Sequence, residues 1–106
     1  MNNYKSLLAK EFVDQLQKTP EAVILDVRSQ PETKAAFSFP TAINIPSLKM
    51  EEILNLDKDK TYFVHCRIGG RSALVCHAMI NNGFRNVFNL NEDIEKCSNL
   101  FKAWNN

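Results

Sequence analysis

The feature that most constrains this chain is the run Ala22-Val23-Ile24-Leu25-Asp26-Val27, apolar and β-branched almost throughout and lacking an inside–outside alternation. A strand with one wet face alternates, whereas a run of this kind is covered on both sides, as in parallel sheets. Parallel strands must be joined by crossovers, usually helices, and the rest of the sequence supplies them. Leu8, Phe12, Val13 and Leu16 fall on one helical face, and Thr19-Pro20 closes that segment. A second short helix is expected around Pro31, a residue suited to a first helical turn. Ala42–Ile45 forms a brief strand ending at Pro46, and Ser47–Leu54 reads as a helix with Ser47 as N-cap and Glu51 near the capping-box position.

The compact run Thr61-Tyr62-Phe63-Val64-His65 reads as a central strand. Arg71 to Asn82 is expected to be helical, with Leu74, Val75, Ala78 and Met79 inward and Gly83 as the C′ stop. Asn86–Leu90 makes a last strand, and a terminal helix spans about Ile94 to Trp104. This order predicts an α/β fold, a central mainly parallel sheet with helices on both faces. The 106 residues are expected to be a single domain with its core at about 6–104.

Composition narrows the function classes. The chain is 44% hydrophobic and 24% charged, ordinary globular proportions, with a net charge of +1. That balance gives no general attraction to nucleic acid or acidic membranes, so neither is expected as a partner. The first residues lack a basic-then-apolar leader, and no apolar run approaches the ~20 residues of a membrane span. Cys66, Cys76 and Cys97 are odd in number and widely spaced, which argues for a cytoplasmic chain with reduced thiols rather than a disulfide framework. The paired spacing of a zinc site and the Cys-x-x-Cys of a redox site are both missing; no metal or cofactor is expected.

One loop carries chemistry. Cys66-Arg67-Ile68-Gly69-Gly70-Arg71 follows a strand and opens a helix, the end of a parallel sheet where ligands bind. Loop amides freed by Gly69 and Gly70 can form a nest of donors, and the helix adds its positive end. Arg67 and Arg71 add two charges. Such surroundings lower a thiol pKa from about 8.5 to roughly 3.5–7.5, making Cys66 the candidate nucleophile. Arg67 is placed to meet an incoming anion, Arg71 either to meet it or to brace the loop, and Ser72 to bond a loop atom or cap the helix. His65 points to the opposite face from Cys66, so a Cys–His pair is not expected. Cys76, amid the apolar positions of the helix, is expected in the core.

Cys66-Arg67-Ile68-Gly69-Gly70-Arg71-Ser72 resembles the active-site signature of single-domain rhodaneses, Cys-Arg-x-Gly-x-Arg-Ser. Asp26-Val27-Arg28 with Glu32 resembles the family's Asp-Val-Arg…Glu segment, and Pro40–Pro46 its Pro-Gly-Ala-x-Asn-Ile-Pro turn. Gly83-Phe84 through Val87 and Leu90 resembles its close. The matches keep the family's order over about residues 6 to 95. The resemblance implies a rhodanese-like fold and a sulfurtransferase: Cys66 takes sulfur from a donor such as thiosulfate as a persulfide, then yields it to cyanide, a thiol or a partner protein. It also implies a structural role for Asp26 and Arg28, with Arg28 expected to pair with Glu32. The chain departs from the pattern where Phe37-Ser38 replaces Gly-His, Thr41 replaces the turn glycine, and Glu92-Asp93 replaces a Gly-Gly pair.

Two rival functions remain. Cys-dependent phosphatases and arsenate reductases of related fold place five residues between Cys and Arg, against four here. One residue is worth roughly 3.3–3.6 Å of chain, so the tighter loop suits one sulfur atom better than a tetrahedral oxyanion. A non-catalytic interaction module is the other, although such domains often lack the cysteine retained here.

Overall fold

The computed structural model describes residues 3–105, with side chains over 3–104; Met1, Asn2 and Asn106 of the expected 1–106 domain lie outside the described residues. Five strands, β1 (Lys5–Leu7), β2 (Val23–Asp26), β3 (Ile43–Asn44), β4 (Thr61–His65) and β5 (Asn86–Leu90), form one sheet in the order β1-β5-β4-β2-β3. Every pairing is parallel. Five helices separate or follow them: α1 (Ala9–Gln17), α2 (Gln30–Ala35), α3 (Met50–Leu54), α4 (Gly70–Asn81) and α5 (Lys96–Asn105).

Two cores explain the unbroken apolar strands. On one face Phe12 and Leu16 of α1 pack with Ile24, Phe63 and Cys97. On the other, Val75, Cys76 and Met79 of α4 pack with Leu25, Tyr62 and Val64. Adjacent strand residues thus serve opposite cores, and no position is left for a polar face. β2 leads outward to β3 while β4 leads the other way to β5. The point where the order reverses lies between β2 and β4, whose carboxyl ends carry Asp26 and His65 side by side in register. No helix among the described residues is long and apolar enough to cross a membrane.

Three local expectations need correction, and one strand, β1, is an addition to them. β1 carries no apolar run; it forms because the sheet edge at Phe88–Leu90 accepts it. Leu8 is 54% exposed, because it is the extended N-cap residue and Ala9 takes the first inward position. Leu74 is 72% exposed; Ser72, Val75, Cys76 and Met79, spaced i, i+3, i+4, i+7, fill the inward face. Ser47 is not a helix N-cap but starts a 3₁₀ turn (Ser47–Lys49) that precedes α3, and its N–H donates to the Val27 carbonyl, prolonging the β2–β3 pairing. At the end of α4, Gly83 does take the left-handed conformation (φ +92°).

Candidate active site

The Cys66 loop leaves β4 at the switch point and turns straight into α4. Gly69 makes that turn: its φ is +123°, and a Cβ there would lie 2.9 Å from the Leu90 carbonyl oxygen. Gly70 has open space and a helical conformation, so the second glycine is not what the turn requires. The Gly69 N–H then points at Cys66 Sγ at 3.1 Å, and the buried Ser72 hydroxyl approaches the same sulfur at 3.4 Å. Ser72 therefore bonds the loop's sulfur and is more than a plain cap.

The Cys66 thiol is held below its ordinary value. Burial pushes it up, but the Ser72 hydroxyl and the N–H groups of Ser72, Gly69 and Ile68 outweigh that by stabilising the thiolate. These nearby dipoles, and not the arginine charges, are the principal downward causes. Only 3% of Cys66 is exposed, and it sits at the floor of a hollow of about 370 Å³ walled by Glu32, Arg67, Ile68, Gly70 and Arg71.

The two arginines of the loop do different things. Arg71 Nη1 and Nη2 donate to the Glu32 carboxylate at 2.7 and 2.8 Å. Glu32 also accepts from the Ser29 N–H and hydroxyl while Ser29 caps α2, a reciprocal capping box. Arg71, then the Ser29 donors, hold the Glu32 carboxyl well below the usual carboxylate range. Arg71 is thus a brace between the loop and α2. Arg67 is exposed, and among the described residues no partner holds its guanidinium.

Arg28 does not pair with Glu32. It folds back on Asp26 through two bonds, Nε to Oδ1 at 2.9 Å and Nη2 to Oδ2 at 2.8 Å, because both side chains are buried at the end of β2 and need each other. The remaining capacity is used locally: Thr33 Oγ1 donates to Asp26, and Arg28 donates to the Phe37 carbonyl and Ser38 Oγ. Asn44 Nδ2 donates to the carbonyls of Asp26 and Arg28. Burial raises the Asp26 carboxyl, yet the Arg28 bonds and the neighbouring His65 leave it below its usual value. His65 is buried against Phe39 on the other side of β4 from the Cys66 sulfur, its Nδ1 3.2 Å from the Cys66 carbonyl oxygen. Burial lowers its pKa, against the opposing pull of the Asp26 carboxylate.

Sequence reasoning missed Ser29, although Ser29-Gln30-Pro31-Glu32 spells a capping box. It also missed Thr33, Ser38 and Asn44, whose roles depend on distant carbonyls and carboxylates. The atypical segments are structural in part: Glu92 Oε1 caps α1 by accepting the Ala9 N–H at 2.7 Å, and Glu95 Oε1 accepts the Phe37 N–H at 2.8 Å. A second hollow, about 360 Å³, opens between α2 and this segment and shares Arg67 and Glu32 with the hollow over Cys66.

The site is thus a buried cysteine met by a backbone N–H and a serine hydroxyl at the switch point of a parallel α/β sheet. The family comparison is more specific. The rhodanese-like domain family matches residues 8–100, and this chain belongs to it. YtwF of Bacillus subtilis, a protein named as a sulfurtransferase, is 32% identical over 84 residues, covering 78% of this chain and 81% of its own. The tRNA uridine(34) hydroxylase of Photorhabdus laumondii is 32% identical over 90 residues, and this chain spans only 25% of its length. A rhodanese-like domain protein from Staphylococcus aureus superposes with a TM-score of 0.76 at 29% identity, covering 88% of this chain and 90% of that one. The human single-domain sulfurtransferase TSTD1 shares the fold, at a TM-score of 0.72 and 20% identity over 91% of this chain and 97% of its own.

Proposed function

We propose that this domain is a sulfurtransferase that carries sulfane sulfur on Cys66. The observation that carries the reading is the Cys66 sulfur itself, buried at the floor of a hollow and met by the Gly69 N–H and the Ser72 hydroxyl. Donors that stabilise a thiolate also stabilise the terminal anion of a persulfide. In the first half-reaction the thiolate attacks the outer sulfur of thiosulfate, the S–S bond of the donor breaks, and sulfite leaves with the electron pair. In the second, an acceptor thiolate or cyanide attacks the persulfide's outer sulfur, and Cys66 departs as thiolate.

Within this scheme Arg67 attracts the anionic donor to the mouth. Ile68, Gly69 and Gly70 shape the ring, Arg71 braces it against α2, and Asp26, Arg28 and Ser72 support it. Small sulfur-containing anions or persulfides are the donors, and thiols or a sulfur-relay protein the acceptors. Three unbridged cysteines suit a reducing, cytoplasmic setting.

Thiosulfate should add about 32 Da, one sulfur, to Cys66, and cyanide should remove it. Absence of the adduct with thiosulfate, a low-molecular-weight persulfide and polysulfide alike would overturn the proposal. Aryl phosphate hydrolysis that depends on Cys66 would replace it with the phosphatase reading.

A further inference from the structure

The hollow beside the Cys66 mouth has a charge pattern of its own. Its walls include Arg28, Glu32, Arg67, Asp93, Ile94 and Glu95. Two of these charges are already spent: Arg28 is closed on Asp26, and Glu32 on Arg71. What faces an incoming molecule is Arg67, which no partner holds among the described residues, on one side and the carboxylates of Asp93 and Glu95 on the other. Asp93 uses Oδ1 to accept the Glu95 N–H, and Glu95 uses Oε1 for Phe37, which leaves each carboxylate its charge and a second oxygen. The Ile94 N–H donates to the Arg67 carbonyl at 2.9 Å, tying the two sides together.

A wall with two carboxylates repels a dianion such as thiosulfate. A molecule with both signs fits it: carboxylate toward Arg67, ammonium toward Asp93 and Glu95. The hollow's size, about 360 Å³, suits an amino acid or a short peptide. Arg67 and Glu32 border both hollows, so a thiol extending from that anchor enters the space over Cys66. Asp93 also stands where the family's resemblance places a glycine, so this wall is a property of this chain.

We propose that the outer hollow is the acceptor subsite and that it selects a zwitterionic thiol, cysteine or a short cysteine-containing peptide with free ammonium and carboxylate groups. The inference rests on the sulfurtransferase reading. In the transfer step the bound thiolate attacks the outer sulfur of the Cys66 persulfide. The new S–S bond forms on the acceptor as the old one breaks, Cys66 takes the electron pair as thiolate, and no external oxidant or reductant is needed.

The test uses thiosulfate as donor and four acceptors: cysteine, cysteamine, 3-mercaptopropionate and 2-mercaptoethanol. Rates are normalised to thiolate concentration, because the thiolate is the attacking species. Cysteine should exceed each of the others by at least about tenfold in kcat/KM, chiefly through KM. Asp93→Asn keeps the oxygen that accepts the Glu95 N–H but removes the charge; it should shrink the advantage of cysteine over 3-mercaptopropionate to under about threefold, and Asp93→Lys should invert it. If the wild-type protein uses all four thiols equally while cyanide still discharges the persulfide, the subsite is refuted and sulfur transfer stands. If no persulfide forms, both fall.

Discussion

Cys66 and Cys76 belong to the same core, and both are almost fully buried, at 3% and 0% exposed. Their thiols nevertheless shift in opposite directions. Burial pushes Cys76 far above the ordinary range, with the nearby Cys66 charge adding to it, and its Sγ lies 3.9 Å from the Phe88 carbonyl, an acceptor. Burial also raises Cys66, but the Ser72 hydroxyl and three backbone N–H groups overcome it. Cys97, on the opposite core, behaves like Cys76 and is pushed up to about 12 by burial first and by Glu92 and Asp93 next. Burial alone raises a thiol's pKa; burial at the amino end of a helix, with N–H and hydroxyl donors turned on the sulfur, lowers it.

The sharpest way to break this contrast is to exchange the two residues' fates. Cys66→Ser should abolish persulfide formation, a loss of at least about 10³-fold in sulfur transfer, whereas Cys76→Ala should keep it. Transfer surviving the first change would refute the assignment of the nucleophile. The next largest effect is on stability. Arg28→Met leaves the Asp26 carboxylate buried without its partner and should cost about 3–5 kcal/mol, read from urea unfolding. A loss under about 1 kcal/mol would mean the pair is not the support described.

The loop glycines test the donors by geometry. Gly69→Ala forces a Cβ into the Leu90 carbonyl at a positive φ and should cost roughly 1–3 kcal/mol while misdirecting the N–H that meets Cys66. Gly70→Ala has open space and should stay within about 0.5 kcal/mol. Equal effects would show that the turn does not depend on Gly69. Subtler still is Ser72→Ala. The pH midpoint for Cys66 alkylation should lie below the ordinary thiol value of about 8.5 in the wild-type chain and rise in the variant. Cys76 and Cys97 should resist alkylation in both.

Stability should also depend on acid. The folded-state pKa of Asp26 is depressed, so its contribution is full above the unfolded carboxylate value near 3.9 and is lost as pH falls through the lower folded value. The native state binds fewer protons than the unfolded state in that window, so unfolding free energy falls with falling pH. Asp26→Asn should flatten that part of the curve.

Much of this molecule was legible in its sequence. The unbroken apolar runs at Ala22–Val27 and Thr61–His65 required strands covered on both faces, hence a parallel sheet with crossover helices. The spacing Cys66-x-x-Gly69-Gly70-Arg71 put a thiol before a helix at the sheet's carboxyl end. These are local properties, set by periodicity and by the few residues that permit a sharp turn. Tertiary structure alone decided the pairings. Arg28 turned back to Asp26 and left Glu32 to Arg71, 39 residues away, because each buried or braced charge takes the partner the folded chain brings nearest. It also made Lys5–Leu7 a strand and exposed Leu74, since an edge and a helix face are defined only by what packs against them. For Cys66 the sequence placed the sulfur and offered loop amides, the helix end and arginine charge together as its activators. The fold assigned that task chiefly to N–H groups and Ser72, because short-range donors in a buried site act more strongly than a charge that is exposed or already paired.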